Sequence, residues 1–302
     1  MTIDNNKDPI NRRTFLRNMM WLGTGVISGF SLIEGRREID KTEITYHNIK
    51  TEKLKKNIKI VHLTDLHLDE GSRRLNTIEL INNQEPDLIL MTGDYTNSNY
   101  YHQVNQSIVK DYMNSLRSIY GIYSTFGNWD IGYERRMFNG TEVKTIRDSH
   151  VEIALGEDRI NLVGLDYFKE DNYTKFKTDK IFKQINSDTY NIFMYHTPDL
   201  IEDISQSGKI DLYLAGHTHG GQIRVPFLRY LTNGAGDLNS EFPYSGAIVT
   251  LSKFGTKYQS GIFTVGQTKL FVGRGIGVGL HITIRIFCRP EIGVFTIGHD
   301  VV

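Results

Sequence analysis

The stretch IKIVHLTDLHLD, residues 58–69, joins a β-branched apolar run to a polar cluster. Apolar runs of this length and composition favour a buried strand, which we predict over residues 58–64. Asp65 and His67 follow directly, and both side-chain types bind divalent metal ions. The stretch therefore predicts a strand that carries two candidate metal ligands at its carboxyl end.

The same arrangement recurs along the chain. Asp94 follows the apolar run DLILMTG, Asn128 follows GIYSTFG, and His196 ends NIFMYH. His217 and His219 follow the run DLYLAG. Ligands of open α/β sheets bind at the carboxyl ends of the strands. We therefore predict that these clusters converge on one crevice.

Two of the clusters contain ligands two residues apart, namely Asp65 with His67 and His217 with His219. In an extended segment such residues project to the same side, so each pair can supply two ligands to one site. Mixed nitrogen and oxygen ligands suit Zn, Mn or Fe better than Mg or Ca. Seven ligands suit two divalent ions about 3.5–4 Å apart that share a carboxylate. Asp94 is alone on its loop and is the predicted bridge between the ions.

Helical spacing between the strands indicates the fold class. Apolar residues recur with helical spacing over residues 72–84 and 104–119, and the strand-like runs VEIAL and RINLVGL flank a short turn at 156–158. Strands that alternate with helices predict an α/β domain with mixed sheets. We predict this domain over residues 58–302, preceded by a charged linker over 34–57.

Composition limits the classes of function. Lys plus Arg and Asp plus Glu each number 35 in the 302-residue chain, so no basic field indicates a nucleic-acid partner. The single cysteine, Cys288, cannot form an internal disulfide. The fold therefore does not depend on an oxidising compartment.

The N-terminal residues 1–33 have the features of a targeting segment. Arg12 and Arg13 precede Phe15 and Leu16, and an uncharged stretch continues to Ile33. This order is typical of twin-arginine export, and the apolar run is short for a spanning helix. We predict a twin-arginine signal, or an anchor that keeps the protein at the cell membrane. The twin-arginine translocase and the membrane surface are the corresponding partners.

The motifs resemble those of the calcineurin-like metallophosphoesterases. The five motifs are Asp65-x-His67, Gly93-Asp94, Gly127-Asn128, His196 and Gly216-His217-x-His219. The tail, with RGIG and CRPE, is similar to a bacterial subgroup that has twin-arginine or transmembrane N-termini. That subgroup includes phosphodiesterases and UDP-2,3-diacylglucosamine pyrophosphatases of lipid A synthesis.

The resemblance implies a four-layer α/β/β/α sandwich and two ligand sets. Asp65, His67, Asp94 and His219 would hold one ion, and Asp94, Asn128, His196 and His217 would hold the other. A hydroxide that bridges the ions would attack phosphorus, and Asn128 would touch a phosphoryl oxygen. Asp94, Asn128 and His217 are the candidate catalytic residues.

Trp129 departs from the family pattern, which usually has a histidine beside the metal-bound asparagine. That histidine protonates or stabilises the leaving oxygen, and an indole can do neither. Trp129 therefore favours a good leaving group, such as that of a pyrophosphate or an activated ester. It could also stack on the substrate, or simply pack the loop. Asp130 or water is the alternative proton source.

We therefore hypothesise a metal-dependent hydrolase of a phosphodiester or pyrophosphate. One alternative is a pyrophosphatase for a lipid-linked substrate such as UDP-2,3-diacylglucosamine, and another is a metal-binding scaffold without turnover. Arg224 and Arg274 are candidate substrate contacts, although either could be solvated surface. The glycine-rich and aromatic segment 225–261 resembles a substrate-contacting loop.

Overall fold

The computed structural model describes most of the chain after its N-terminal segment. The described residues are 38–68, 75–97, 106–133, 136–167, 178–224, 251–254, 257–278 and 283–301. The predicted targeting segment over 1–33 and most of the predicted substrate loop lie outside these ranges. Within them, no helix has the length and apolar character needed to cross a membrane.

The described elements alternate between strands and short helices. The strands of the first half are β1 (Glu43–Lys50), β2 (Ile58–Leu63), β3 (Leu88–Thr92), β4 (Ile122–Thr125), β5 (Lys144–Thr145) and β6 (Ser149–Leu155). Those of the second half are β7 (Asp158–Gly164), β8 (Tyr190–Met194), β9 (Leu212–Ala215), β10 (Gly261–Val265), β11 (Thr268–Val272) and β12 (Glu291–Gly298). The helices are α1 (Leu75–Asn82), α2 (Gln106–Ser115) and α3 (Ile201–Gln206), with 3₁₀ turns at Pro198–Leu200 and His219–Gly221.

These strands form two mixed sheets of six strands each. The first has the order β1-β12-β2-β3-β4-β5 and the second the order β10-β11-β9-β8-β7-β6. In the first sheet β2, β3 and β4 are parallel neighbours, and in the second β7, β8 and β9 are. The hairpin predicted around residues 156–158 is present as the antiparallel pair β6 and β7. The predicted α/β class with mixed sheets is confirmed.

Three apolar clusters join four layers, namely helices, first sheet, second sheet and helices. Between the sheets, residues such as Ile60 and Leu90 pack with residues such as Leu162 and Ile192. On the outer face of the first sheet, β2 and β3 pack against α1 and α2. On the outer face of the second sheet, β7, β8 and β9 pack against α3. The strands are thus covered on both faces, which explains their nearly continuous apolar sequences.

The prediction of a linker over residues 34–57 is wrong for its central part. Glu43–Lys50 form β1, which pairs in parallel with β12 along its whole length. β1 lies at the edge of the first sheet, and several of its polar side chains are exposed. An edge strand with a solvated face needs few apolar residues, so its charged composition resembles that of a linker. The sheet therefore begins before residue 58.

The strand-like run ITIRIF, residues 282–287, has a different structure from the one its composition favours. The described part of this run forms only one isolated bridge, between Ile286 and Ile223. The side chain of Arg285 is fully buried there. A buried guanidinium needs several hydrogen-bond acceptors, and a regular ladder would already occupy the nearby carbonyl groups.

Candidate metal centre

The candidate ligands lie where parallel strands end at a common edge. Asp65 follows β2, Asp94 follows β3 and Asn128 lies just after β4. His196 follows β8, and His217 and His219 follow β9. The two sheets present these ends to each other, so the side chains meet in one place. The predicted convergence is present in the structure.

The backbone of the ligand loops is not extended. Five ligand residues have left-handed backbone conformations, namely Asp65 (φ 49°), His67 (φ 44°), Asp94 (φ 58°), His217 (φ 70°) and His219 (φ 50°). Such conformations are uncommon for residues other than glycine and are found at functional sites. The prediction that each pair projects as neighbours on an extended segment is wrong in its geometry. The sharp turns still bring both members of each pair into the site.

One group of ligand atoms consists of Asp65, His67 and His219. His67 Nε2 lies 3.2 Å from His219 Nε2, and His219 Nε2 lies 3.4 Å from Asp65 Oδ1. All three residues are buried. Two imidazole nitrogens and a carboxylate oxygen at this separation can bind one divalent ion.

A second group consists of Asp94, His196 and His217. His196 Nε2 lies 3.2 Å from Asp94 Oδ2 and 3.1 Å from His217 Nδ1. Asp94 Oδ2 also lies 3.8 Å from His67 Nε2, which belongs to the first group. The carboxylate of Asp94 thus lies between the two groups, as a bridging ligand requires. His217 and His219 are divided between the groups, as the family resemblance implies.

Two buried oxygens of the site have no hydrogen-bond partner among the described residues. They are Oδ1 of Asp65 and Oδ1 of Asn128. A buried acceptor without a partner is costly, and a bound cation would satisfy it. The donor set of carboxylate, amide and imidazole groups also suits divalent ions of the Mn, Zn or Fe type. The residues present therefore fit two divalent ions.

Burial and mutual charge shift the pKa values of the ligands in opposite directions. Burial raises the pKa of Asp65 to about 6. Burial would also raise the pKa of Asp94, but the charges of His196, His67 and His217 together with the hydrogen bond from His196 outweigh it and lower the pKa to about 2. Burial and the charge of His196 lower the pKa of His217 to about 3. Carboxylates and imidazoles packed this closely form a charged cluster with little access to solvent.

Backbone and side-chain contacts orient the second group. His196 Nδ1 lies 2.7 Å from the carbonyl oxygen of Thr92, so the other ring nitrogen is directed at Asp94. Such a contact to a backbone carbonyl is the usual way of fixing the tautomer of a metal-binding histidine. The backbone N–H of Trp129 donates to Asp94 Oδ1 at 2.9 Å. Each carboxylate oxygen of Asp94 therefore has a defined direction.

Asp130 holds two of the ligand loops together through its carboxylate. Its carboxylate is fully buried and accepts the backbone N–H groups of Asp94, Tyr95 and Gly127 at 2.8–3.0 Å. Burial and the charge of Asp94 raise the pKa of Asp130 to about 7. Its oxygens are already used by the backbone, so these contacts do not support the alternative that Asp130 donates a proton to substrate.

Trp129 lies directly at the candidate metal centre. The residue is half-buried, and its indole ring contacts the imidazole of His67 edge-to-face with the ring centroids 5.8 Å apart. The GNWD loop therefore carries the candidate ligand Asn128 and places an aromatic ring beside the first group. This position is consistent with both a packing role and a substrate-contacting role.

The two predicted arginine contacts have protein partners. Arg224 donates to the carbonyl oxygen of Gly220 at 2.7 Å and to the hydroxyl of Ser260 at 2.5 Å. Arg274 forms ion pairs with Glu43 at 2.9 Å and with Glu291 at 3.1 Å. Because two carboxylates compensate its charge, these contacts favour a structural role for Arg274. Arg224 lies close to the turn that carries His219 and remains a candidate.

Two residues at the site were not predicted. Tyr167 is half-buried, with its ring centroid 6.1 Å from that of His196 and 6.3 Å from that of His217. Arg285 is fully buried, with Nη2 3.4 Å from Nδ1 of His219. Neither lies in a recognisable motif, so composition and spacing do not mark them.

Comparison with known proteins identifies the family that this fold and site define. Residues 58–221 match the calcineurin-like phosphoesterase family. The match covers more than half of the 302-residue chain. The chain belongs to this family and is a phosphoester hydrolase. The family resemblance drawn from the five motifs is thereby confirmed.

Several relatives match over most of their length. The uncharacterized metallophosphoesterase YkuE of Bacillus subtilis (strain 168) is 28% identical over 304 residues, which cover 95% of this chain and 98% of the relative. Phosphodiesterase YaeI of Escherichia coli (strain K12) is 27% identical over 244 residues, with coverages of 78% and 80%. The UDP-2,3-diacylglucosamine pyrophosphatase LpxG of Chlamydia muridarum is 24% identical over 300 residues, with coverages of 78% and 82%.

Proposed function

We propose that the protein hydrolyses a phosphodiester or a pyrophosphate with two divalent ions bound at the candidate metal centre. The observation that carries the proposal is the pair of ligand groups that face each other across Asp94. Asp65, His67 and His219 form one group, and His196 and His217 complete the other. A site shared between two ions in this way is typical of phosphoryl-transfer hydrolases.

The residues of the site would divide the work of hydrolysis. When bound, the two ions would lower the pKa of water and stabilise negative charge on the phosphoryl oxygens. Asp94 would hold the two ions at a fixed separation. Asn128 would bind one ion through its buried Oδ1, and its amide NH₂ group would donate to a phosphoryl oxygen. His217, which is partly exposed, would contact substrate from the side of the second group.

The preference for a good leaving group follows from the GNWD loop. Trp129 provides no acidic proton, and the oxygens of Asp130 accept backbone N–H groups. A leaving oxygen that departs as a stable anion needs no proton in the transition state. Pyrophosphates and activated diesters provide such a leaving group, whereas simple alkyl esters do not.

A lipid-linked pyrophosphate is the second candidate substrate. Its support is the relative LpxG, named as a UDP-2,3-diacylglucosamine pyrophosphatase. Trp129, which is half-buried, and Ile131, which is 41% exposed, follow the candidate ligand Asn128 in sequence and add an aromatic and an aliphatic side chain to this segment. Such side chains could contact a nucleobase or an acyl chain.

Metal-dependent activity on a substrate panel tests the proposal. Protein stripped with a chelator should be inactive, and reconstitution with Mn, Zn or Fe should restore turnover. Phosphomonoesters, aryl phosphodiesters, nucleotide sugars and UDP-2,3-diacylglucosamine would be compared by phosphate or nucleotide release. We expect pyrophosphates and aryl diesters to react fastest. Fully metallated protein that hydrolyses none of these classes would contradict the proposal and favour the alternative of a metal-binding scaffold without turnover.

For location, we propose export by the twin-arginine route or anchoring at the cell membrane. The support is the order of Arg12, Arg13 and the uncharged stretch that follows. Replacement of Arg12 and Arg13 by Lys should leave the protein in the cytosolic fraction. Replacement of Arg36 and Arg37 by Lys is the matched control, because that pair follows the uncharged stretch. Fractionation that is identical for both double variants would contradict export through the arginine pair.

A further inference from the structure

Arg285 is a fully buried cation beside the first ligand group. Its Nη2 lies within hydrogen-bond distance of the carbonyl oxygens of Arg274 (2.7 Å), Gly275 (3.1 Å) and Gly277 (2.6 Å). Its Nη1 donates to the carbonyl oxygen of Cys288 at 3.3 Å. The guanidinium therefore joins the loop that follows β11 to the segment that leads into β12.

This cation has no carboxylate partner at ion-pair distance among the described side chains. Its Nε has no hydrogen-bond partner in the same part of the chain. Burying a charge in such a place is costly unless backbone groups solvate it, and here carbonyl oxygens do so. Burial lowers the pKa of Arg285, and the carboxylate of Asp65, a candidate metal ligand, acts in the opposite direction and favours its charge. The guanidinium therefore places a positive charge beside the first ligand group.

The loop that Arg285 binds packs directly on two metal ligands. The N–H of Gly277 donates to the carbonyl oxygen of Asp65 at 2.7 Å. A Cβ atom on Gly275 would lie 2.6 Å from Cβ of Asp65, and one on Gly277 would lie 2.7 Å from Cβ of His67. The loop therefore packs so closely against Asp65 and His67 that no side chain fits at Gly275 or Gly277. A shift of this loop would move Asp65 and His67.

The backbone of the third ligand, His219, is contacted from the same side by the segment that carries Arg285. Nη2 of Arg285 lies 3.4 Å from Nδ1 of His219. The thiol of Cys288 lies 3.3 Å from the carbonyl oxygen of His219 and 3.5 Å from that of Gly220. All three ligands of the first group are therefore contacted either by Arg285 or by a segment that it binds.

Backbone strain makes such support necessary. Asp65, His67 and His219 all have left-handed φ values. Non-glycine residues remain in this region only where the surrounding structure holds them there. We propose that Arg285 is the positioning residue that holds Asp65, His67 and His219 in their metal-binding arrangement.

The second group depends on other contacts. Asp94 is held by Asp130, and His196 by the carbonyl oxygen of Thr92. No hydrogen bond joins Arg285 to any member of this group in the described part of the chain. The N–H of His217 donates to Asp65 Oδ2 at 2.9 Å, so the two groups are linked. The loss of Arg285 should therefore weaken the binding of one ion much more than that of the other.

Titration of the metal-free protein with Co²⁺, followed by its visible absorption and by metal content, tests this proposal. In Arg285→Lys one ammonium replaces the two guanidinium nitrogens that span both segments. We expect one of two binding phases to weaken by ~10–100-fold, as for other residues that orient metal ligands. Arg147→Lys is the matched control, because Arg147 pairs with Asp166 outside the network. Its two phases should match those of the wild type.

Gly277→Ala reaches the same ligands without altering Arg285. The added methyl would press on Leu66 and His67, so the same binding phase should weaken. Unchanged Co²⁺ binding in Arg285→Lys would overturn the proposal. So would equal weakening of both phases, or loss of the thermal transition of the apo-protein in both variants, since Arg285 would then support the whole fold.

The inference rests on the metal binding of the proposed function, but its test needs no turnover. A wild-type protein that binds two ions and hydrolyses nothing would contradict the proposed activity and leave the role of Arg285 open to the same titration. Two normal Co²⁺ phases in Arg285→Lys, with active wild-type enzyme, would contradict the role of Arg285 alone.

Discussion

Replacing Asp94 with alanine should abolish nearly all hydrolysis and reduce the bound metal to fewer than two ions per chain. One oxygen of Asp94 lies 3.2 Å from Nε2 of His196 and 3.8 Å from Nε2 of His67, so it serves both ligand groups. Its loss removes the one negative charge that the two ions share at this position. A single electrostatic stabiliser is typically worth ~10²–10³-fold in turnover, and the bridge should exceed this.

The substitution also removes the acceptor of a hydrogen bond that the GNWD loop donates. The N–H of Trp129 donates to Asp94 Oδ1, so the loop that carries Asn128 loses a contact with the β3 loop. Asp94→Asn separates the two effects, because it keeps the shape and an acceptor oxygen while it removes the charge. We expect the metal content of Asp94→Asn to fall as well, which would assign the effect to charge.

The measurement is turnover of an aryl phosphodiester at saturating metal, with metal content determined on the same samples. Asp158→Ala is the matched control, because Asp158 is also buried and its carboxylate accepts the N–H groups of Lys55 and Lys56. It should lower thermal stability and keep two ions. Wild-type turnover in Asp94→Ala at saturating metal would contradict a mechanism with two ions.

The candidate site could be predicted from sequence because parallel strands end at a common edge. Asp65, Asp94 and His196 each follow an apolar run that must be a buried strand, and burial on both faces leaves few alternatives for such runs. The metal-binding residue types then mark the loops that meet. Position along the chain and chemistry together were sufficient to bring the candidate ligands to one edge of the sheets.

The features that escaped prediction depend on contacts between distant segments. β1 has the composition of a solvated linker, and only its pairing with β12 makes it a strand. Arg274 resembles a phosphate ligand in sequence, but Glu43 and Glu291 lie beside it in the fold. Arg285 lies in an apolar run that favours a strand, and its burial follows from carbonyl groups that the topology brings to it.

The left-handed turns at the ligands were missed for a different reason. Local propensity disfavours positive φ at Asp65 and His217, so an extended segment is the better guess from sequence. The energy of the fold outweighs this preference through contacts such as the 2.9 Å bond from the N–H of His217 to Asp65 Oδ2. Departures from local preference of this kind are expected at functional sites.

Trp129→His should increase the hydrolysis of substrates with poor leaving groups far more than that of substrates with good ones. Trp129 follows the candidate ligand Asn128 and contacts His67, so a histidine at position 129 would stand beside the first ligand group. A positioned general acid typically contributes ~10²–10⁴-fold when the leaving oxygen needs a proton. Aryl diesters and pyrophosphates gain little, because their leaving groups depart as stable anions.

The test is a series of esters whose leaving groups differ in pKa, measured on wild type, Trp129→His and Trp129→Phe. The wild-type rate should fall steeply as the leaving-group pKa rises, and the histidine variant should show a shallower slope. Trp129→Phe is the matched control, because it keeps an aromatic ring against His67 and supplies no proton. Its slope should equal that of the wild type, and metal content should be the same in all three proteins.

The outcome also separates the two substrate classes that the site favours. If the indole stacks on a nucleobase or lies against an acyl chain, both variants should raise KM for that substrate, and the phenylalanine variant should raise it less. If the indole only packs the loop, KM should stay constant while the slope changes in Trp129→His. Equal slopes in wild type and Trp129→His would show that position 129 does not face the leaving group. Because the oxygens of Asp130 accept three backbone N–H groups, water would then be the remaining proton donor at this loop.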